Sequence, residues 1–419
     1  MVPDRLLPDL LAAERALGRL DQALSDPARR HRHRFDAARR TAAAMLRLDG
    51  ERLDPHDFQV ALAAADQASG APARAALLSG LITQLQAGLT RHDPPLSPRP
   101  AAVPSLDPRL SPDRRTRMEA AIQADVVAAA RASIADLNRF DVSGGGELDG
   151  AGTSGAAAPL PDPPLSLWTL AWLEELHRRW TMTQGGREAG LTDPQRSSAR
   201  AVLTGVDEVL SATPGLLAAA AAFRRLSQSP DVSAPDRSAY GGNEDLAAAL
   251  MQCPRASWWS VVAWLAAPSL IQAACRLHFA WPALTPALAR DTTGYRLALS
   301  DTDTAWTTWF LGTIQDLVGS ELERLRFLDV LQDRWEERLA SQVRRSTSRL
   351  PDLLPWLFEH PAFTVSRVAA DLKARFGLSM RGAHLLTAQL AAVGIVREVP
   401  GRGGERVWVT DLSFLPPGR

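Results

Sequence analysis

Arg381, Gly382 and His384 stand at the head of the run "MRGAHLLTAQLAAVG", and further on "REVPGRGGERVWV" sets Arg402 among Gly401, Gly403 and Gly404, with Arg406 close behind. A guanidinium presents a rigid fork of N–H donors, which matches two phosphate oxygens or the N7 and O6 acceptors of a guanine edge. An imidazole adds a further hydrogen-bonding group. Glycines on both sides of Arg402 give the backbone the freedom a tight turn needs. These residue types suit an anionic partner, provided the chain holds them on one surface.

The elements around them are built to do so. "LPDLLPWLFEHP" reads as one helix, and "TVSRVAADLKARFG" as a second with Thr364 as cap and Gly377 as stop. Ser379 caps a third that Gly394 ends. Its spacing buries Ala383, Leu386 and Leu390 and turns Arg381, Gly382 and His384 outward, with Leu385 or Ala388 beside them. Ile395–Val399 then pairs with Arg406–Val409, and Arg402 rides at the hairpin tip. Three helices and a hairpin describe a winged helix, whose third helix enters a DNA major groove. Between Thr364 and Arg419 the cations Arg367, Lys373, Arg375, Arg381, Arg397, Arg402, Arg406 and Arg419 face only Asp371, Glu398, Glu405 and Asp411. The whole chain conceals this local excess, because Lys+Arg and Asp+Glu both total 47.

The other elements are mostly helical, so the expected fold class is mainly α: a helical N-terminal and central bundle carrying the terminal winged helix-turn-helix. Residues 1–92 form the N-terminal helical region. There Leu6, Leu7, Leu10, Leu11, Leu17, Leu20 and Leu24 recur at helical spacing, "RFDAARRTAAAMLRL" gives a second helix, and Asp54 and Pro55 open a third that Gly70 ends. Residues 93–164 read as Pro- and Gly-rich connectors around one long Ala-rich helix. Residues 165–345 form a Trp-rich helical domain, in which Trp168, Trp172, Trp180, Trp258, Trp259, Trp264, Trp306, Trp309 and Trp335 are core. The periodic run from Asp303 to Arg345 bridges this bundle to the terminal module, residues 346–419.

Cys253 and Cys275 are the two cysteines, far apart and without a Cys-x-x-Cys pair, which argues against a disulfide framework and a structural zinc site. Charges at Asp4, Arg5, Asp9 and Glu14 interrupt the apolar N-terminus, so a cytoplasmic location is expected. The uncharged stretch Ala256–Cys275 reads as a buried core helix, kinked or broken near Pro268, and not as a membrane span.

"RSTSRLPDLLPWLFEHPAFTVSRVAADL" and "REVPGRGGERVWV" resemble the carboxy-terminal helix-turn-helix domain of an alphaproteobacterial, often plasmid-borne family whose preceding helical region is a domain of unknown function. "AERALGRLDQAL", "LRLDGERLDPHDFQVALAAAD", "TPGLLAAAAAFRRL" and "ASWWSVVAWLAAPSLIQAACRL" resemble its helical body. The resemblance implies a DNA-binding regulator. The layout is also distantly similar to Fic-family adenylyltransferases, which carry H-P-F-x-x-G-N-G-R at the active site. This chain has no such string: "YGGNED", Tyr240–Asp245, keeps only the Gly-Asn pair, and "MLRLDG", Met45–Gly50, has Asp49 where the inhibitory glutamate would stand. A divergent or inactive Fic-like enzyme and a protein-interaction scaffold are the alternatives to a DNA-binding regulator.

Other motifs carry less. His31 and His33 in "RRHRHRF" are two apart, so on a helix they point to different sides, and the plain reading of this run is a solvated basic face. "DPHD" around His56 is a helix start. Gly150, Gly152 and Gly155 match G-x-G-x-x-G without the strand and helix a dinucleotide fold requires. No catalytic residue, cofactor or metal is therefore expected for the chain. Its expected partners are double-stranded DNA and a second copy of the chain, with no membrane, and its expected DNA-contacting residues are Arg381, Gly382, His384, Arg402 and Arg406.

Overall fold

Capped, Ala- and Leu-rich stretches without long β-branched runs favour helix, and helix dominates. The computed structural model of the chain describes residues 4–64, 68–91, 173–174, 177–178, 191–212, 215–229, 258–340, 350–376, 379–400 and 406–412. All of them fall in one unit, made of Met1–Leu96 with Pro163–Arg419; the other unit, Ser97–Asp162, contains none. The described residues hold 13 α-helices and one three-stranded sheet and are 81% helical. The chain is thus mainly α. The connectors and Ala-rich helix expected over 93–164, the glycine string, Trp168, Trp172, Trp180, "YGGNED", Cys253, Gly377 and Arg402 lie outside the described residues.

The N-terminal helices are α1 (Leu7–Ala23), α2 (Pro27–Leu48), α3 (Pro55–Ala63) and α4 (Gly70–Arg91). In α1, Ala13, Ala16, Leu17 and Leu20 are buried, whereas Leu7 and Leu11 are exposed, so the expected leucines do not share one face. Asp54 caps α3 by accepting from Asp57 N–H at 3.0 Å, with Pro55 in the first turn, as the sequence indicates. Gly70 does not end that helix. α3 stops at Ala64, whose φ of −143° leaves the helical region, and Gly70, at φ +66°, opens α4 instead.

The central helices are α5 (Asp193–Ala212), α6 (Leu216–Gln228), α7 (Trp258–Cys275), α8 (Leu284–Arg290), α9 (Thr292–Ser300) and α10 (Asp303–Ala340). α7 packs on α6, α10 on α1, and α2 on both α4 and α8. Trp258, Trp259, Trp264, Trp306 and Trp335 are buried, and Phe223 stacks on Trp306 with 5.8 Å between ring centroids. The Trp306 indole donates to Ala220 O at 2.9 Å, which satisfies its polar end.

α7 is the apolar stretch that resembles a membrane span by composition alone. It is buried from Val261 to Ile271 and runs unbroken through Pro268. Proline lacks the N–H that would bond to the carbonyl four residues earlier, Trp264 O. The Thr285 hydroxyl of α8 donates to that carbonyl at 3.2 Å, so the helix continues without a lost buried acceptor.

The terminal module runs α11 (Leu350–Glu359), β1 (Ala362–Thr364), α12 (Val365–Phe376), α13 (Met380–Ala392), β2 (Val396–Pro400) and β3 (Arg406–Thr410). Its sheet has the order β1-β3-β2, antiparallel throughout, with Val396 opposite Thr410 and Phe363 opposite Trp408. β1 has no counterpart in the sequence reading. Three residues are too few to show alternation, and only pairing with β3 defines them.

This module shares its core with the body. Ala362, Val399, Val407 and Val409 form a small cluster with Val60 of α3. Arg39 of α2 donates to Phe358 O at 2.8 Å and to Glu359 O at 3.2 Å, meeting the bare carbonyls at the C-terminus of α11. From α10, Trp335 donates to Asp411 Oδ1 at 3.0 Å and Arg338 to Gly394 O at 2.8 Å.

Candidate nucleic-acid interface

α13 owes its position to its two ends and its buried stripe. Ser379 Oγ accepts from Gly382 N–H at 3.3 Å and caps the first turn. Ala383, Leu386, Thr387 and Leu390 are buried against α12 and β2, and the Thr387 hydroxyl donates to Ala383 O at 2.9 Å. Gly394, at φ +68°, reverses the chain into β2, a conformation that glycine adopts at little cost.

Met380, Arg381, His384, Leu385, Ala388 and Gln389 are left on the exposed side. Arg381 and His384, three residues apart, are neighbours on one helical face. Arg381 forms no ion pair among the described residues, and no Asp or Glu occurs between Met380 and Ala392. Gly382 is half-buried and is engaged as the cap's donor, so its part is to start the helix rather than to face outward.

The hairpin contributes less free charge than its sequence suggests. Arg406 is exposed, but its Nε lies 3.4 Å from Glu398 Oε1. Arg367 is likewise paired with Asp371 at 3.1 Å. Arg397 and Lys373 are exposed and form no ion pair among the described residues. The hairpin is braced from behind, because Val60 of α3 packs with its Val399, Val407 and Val409.

His360, at the turn between α11 and β1, lies flat against Trp356 with ring centroids 4.5 Å apart. Burial lowers its pKa and Arg367 lowers it further, against the opposing pull of Asp371 and Glu359. The Glu359 carboxylate also reaches His31 of α2 at 3.2 Å.

A second cluster of charge escaped the sequence reading. Along α2, Arg32, His33, Asp36 and Arg39 are buried, and Arg40 is largely so. His33 Nε2 lies 2.7 Å from Glu321 Oε2, and Arg40 grips Glu321 with two bonds of 2.7 Å. Asp36 accepts from Arg40 at 2.7 Å and from Arg324 at 2.6 and 3.0 Å, while Arg29 and Arg32 reach Asp329. Arg32 and His33 of the basic run are therefore buried in an ionic seam between α2 and α10, and the run is not simply a solvated face. His31 and His33 do point to different sides, one to Glu359 and the other to Glu321.

Burial alone would push the Asp36 carboxyl up, but Arg40 and Arg324 overcome it and hold the group well below the usual carboxylate range. Glu321, opposed by the same burial, is drawn down to about 2 by Arg40 and by its bond to His33. Arg39 is pushed down to about 9 by burial. A signal for this seam was present in the sequence. Glu321 stands four residues from both Leu317 and Leu325, on the apolar stripe of α10, where a lone carboxylate demands a partner.

Asp54, His56 and Asp57 gather their ligand-type atoms within 4.8 Å, all exposed. Asp54 is occupied as the α3 cap, so this is the helix start that "DPHD" indicates. The Cys275 thiol is pushed up to about 12 by burial and by Glu14, which leaves it protonated and unreactive at neutral pH. Comparison with protein-family models and with curated proteins finds no match.

Proposed function

We propose that the chain is a double-stranded-DNA-binding protein, a transcriptional or plasmid-associated regulator whose residues 350–412 act as a winged helix. The observation that carries this reading is the order α11-β1-α12-α13-β2-β3, closed by the sheet order β1-β3-β2, together with Arg381, which forms no ion pair among the described residues, on the exposed side of a helix free of acidic residues. In this arrangement α13 enters the major groove and the hairpin lies along the backbone. Arg381 and His384 address base edges, and Arg402 and Arg406 address phosphates. The helical body would dimerise or bind an effector, and its contacts through Arg39 and Val60 are routes by which either event would reach the module.

Fluorescence anisotropy of the full chain on a labelled duplex across a salt series tests this. The logarithm of the association constant should fall linearly as log[salt] rises, with a slope of roughly −0.9 per phosphate contacted. Binding that ignores salt, or no binding at low salt, overturns the reading.

A further inference from the structure

Phosphate contact does not account for the apolar part of the α13 face. Met380 is 50% exposed and Leu385 58%, and they lie beside Arg381, His384 and Ala388 rather than on the buried stripe. Two large apolar side chains held in water carry a hydration cost that a backbone-tracking helix avoids by using lysine or arginine. In the major groove each base pair shows a distinct edge, and among the four bases only thymine presents a methyl group. Arg381 and Leu385 are four residues apart and stand one above the other on the helix, roughly 5–6 Å apart at Cβ. That separation compares with about 3.4 Å between successive bases along a strand, so the two side chains meet bases one or two steps apart.

Resting on the DNA-binding reading, we propose that this face reads a mixed edge: Leu385 packs on a thymine C5 methyl, and Arg381 forks onto a guanine one or two base pairs away. The occupant is duplex DNA and not an apolar protein surface because the patch carries Arg381, a cation that forms no ion pair among the described residues. The whole helix, moreover, presents no carboxylate to repel a polyanion.

The test starts from a random duplex pool enriched on the full chain, followed by replacement of each thymine of the enriched site with deoxyuridine, which removes only the methyl. One or two such replacements should weaken binding roughly fourfold each, the value of one buried methyl-sized group. Leu385→Ala, which is surface-located and should leave the melting temperature unchanged, should lose the same factor on the thymine duplex and nothing further on the deoxyuridine duplex. Arg381→Ala should instead relax the guanine preference. An enriched site at which no deoxyuridine replacement matters overturns the inference, and so does a Leu385→Ala loss that is equal on both duplexes. Salt-dependent binding without enrichment of any sequence overturns it too while leaving the DNA-binding reading intact. Failure to bind any duplex removes both, and a Leu385-dependent protein complex would then claim the face.

Discussion

Two sets of cations in this molecule meet opposite fates. Between α2 and α10, Arg32, Arg39, Arg40 and Arg324 are drawn inside and matched by Asp36, Glu321, Asp329 and the carbonyls that end α11. On α13, Arg381 stands in water with no carboxylate on its helix. Both sets lie in arginine-bearing helices, so composition does not separate them. What separates them is the facing element: α10 supplies anions at the heights where α2 supplies cations, and nothing described faces the outer side of α13. Charge committed to a partner within the chain holds the fold, whereas uncommitted charge is available to a ligand.

Breaking the seam should give the largest effect. Asp36→Ala leaves Arg40 and Arg324 buried with one anion fewer, and removal of one partner from a buried pair costs about 3–5 kcal/mol. That is a large share of the roughly 5–15 kcal/mol by which domains are stable. Urea unfolding should show the loss, and a cost under about 1 kcal/mol would mean that the seam is open to solvent.

Acid should dissolve the same seam gradually. Glu321 titrates near 4.5 when unfolded and at about 2 when folded, so below pH 5 the unfolded chain binds the proton first and stability falls toward pH 2. Asp36, held down by Arg40 and Arg324 despite its burial, adds to the fall in the same direction. His360 acts at higher pH: its folded pKa lies below 6.5, chiefly through burial, so stability present above that value is lost as the unfolded imidazole takes up its proton. Melting temperature should therefore decline in two stages from pH 8 to pH 3, and His360→Gln should erase the upper one.

The sequence exposed the elements of the terminal module more fully than their surroundings. Ser379, Gly394 and the apolar residues Ala383, Leu386 and Leu390 define α13 through local rules of capping and periodicity, and the structure follows them. Pairing between distant segments leaves no such local mark. β1 exists because β3 pairs with it, the burial of His33 depends on Glu321 from a segment 288 residues away, and Val60 meets Val407 only through the tertiary fold. For the candidate site, outward Arg381 and His384 were legible for the same reason as the helix. The pairing of Arg406 with Glu398 was not, because it depends on strand register.

A smaller effect is expected where the module leans on α3. Val60→Ala deletes two methyl groups from a cluster shared with Ala362, Val399, Val407 and Val409, worth about 1–2 kcal/mol. The loss should be local. Hydrogen exchange at the Val407 and Val409 amides should quicken more than exchange in α7, and a uniform change would mean that the cluster is not a separate brace.

The smallest expected effect on stability falls on Arg381. Its side chain is exposed and forms no ion pair among the described residues, so Arg381→Ala removes no buried contact and orphans no charge. Surface substitutions of that kind stay within about 0.5 kcal/mol. On DNA the same substitution should behave differently: a lost two-pronged contact with a guanine edge costs discrimination of roughly 1–3 kcal/mol between sites, while affinity for random duplex, set by phosphate contacts, changes little. Arg40→Ala should show the reverse pattern, with a large loss of stability and, at temperatures where the variant is folded, unchanged discrimination. Unfolding curves and competition binding on the same two variants measure both quantities. If Arg381→Ala unfolds early, its side chain is committed to the fold and the contrast between the two sets of cations is lost. Equal losses on specific and random duplexes would instead move Arg381 from reading bases to holding phosphate.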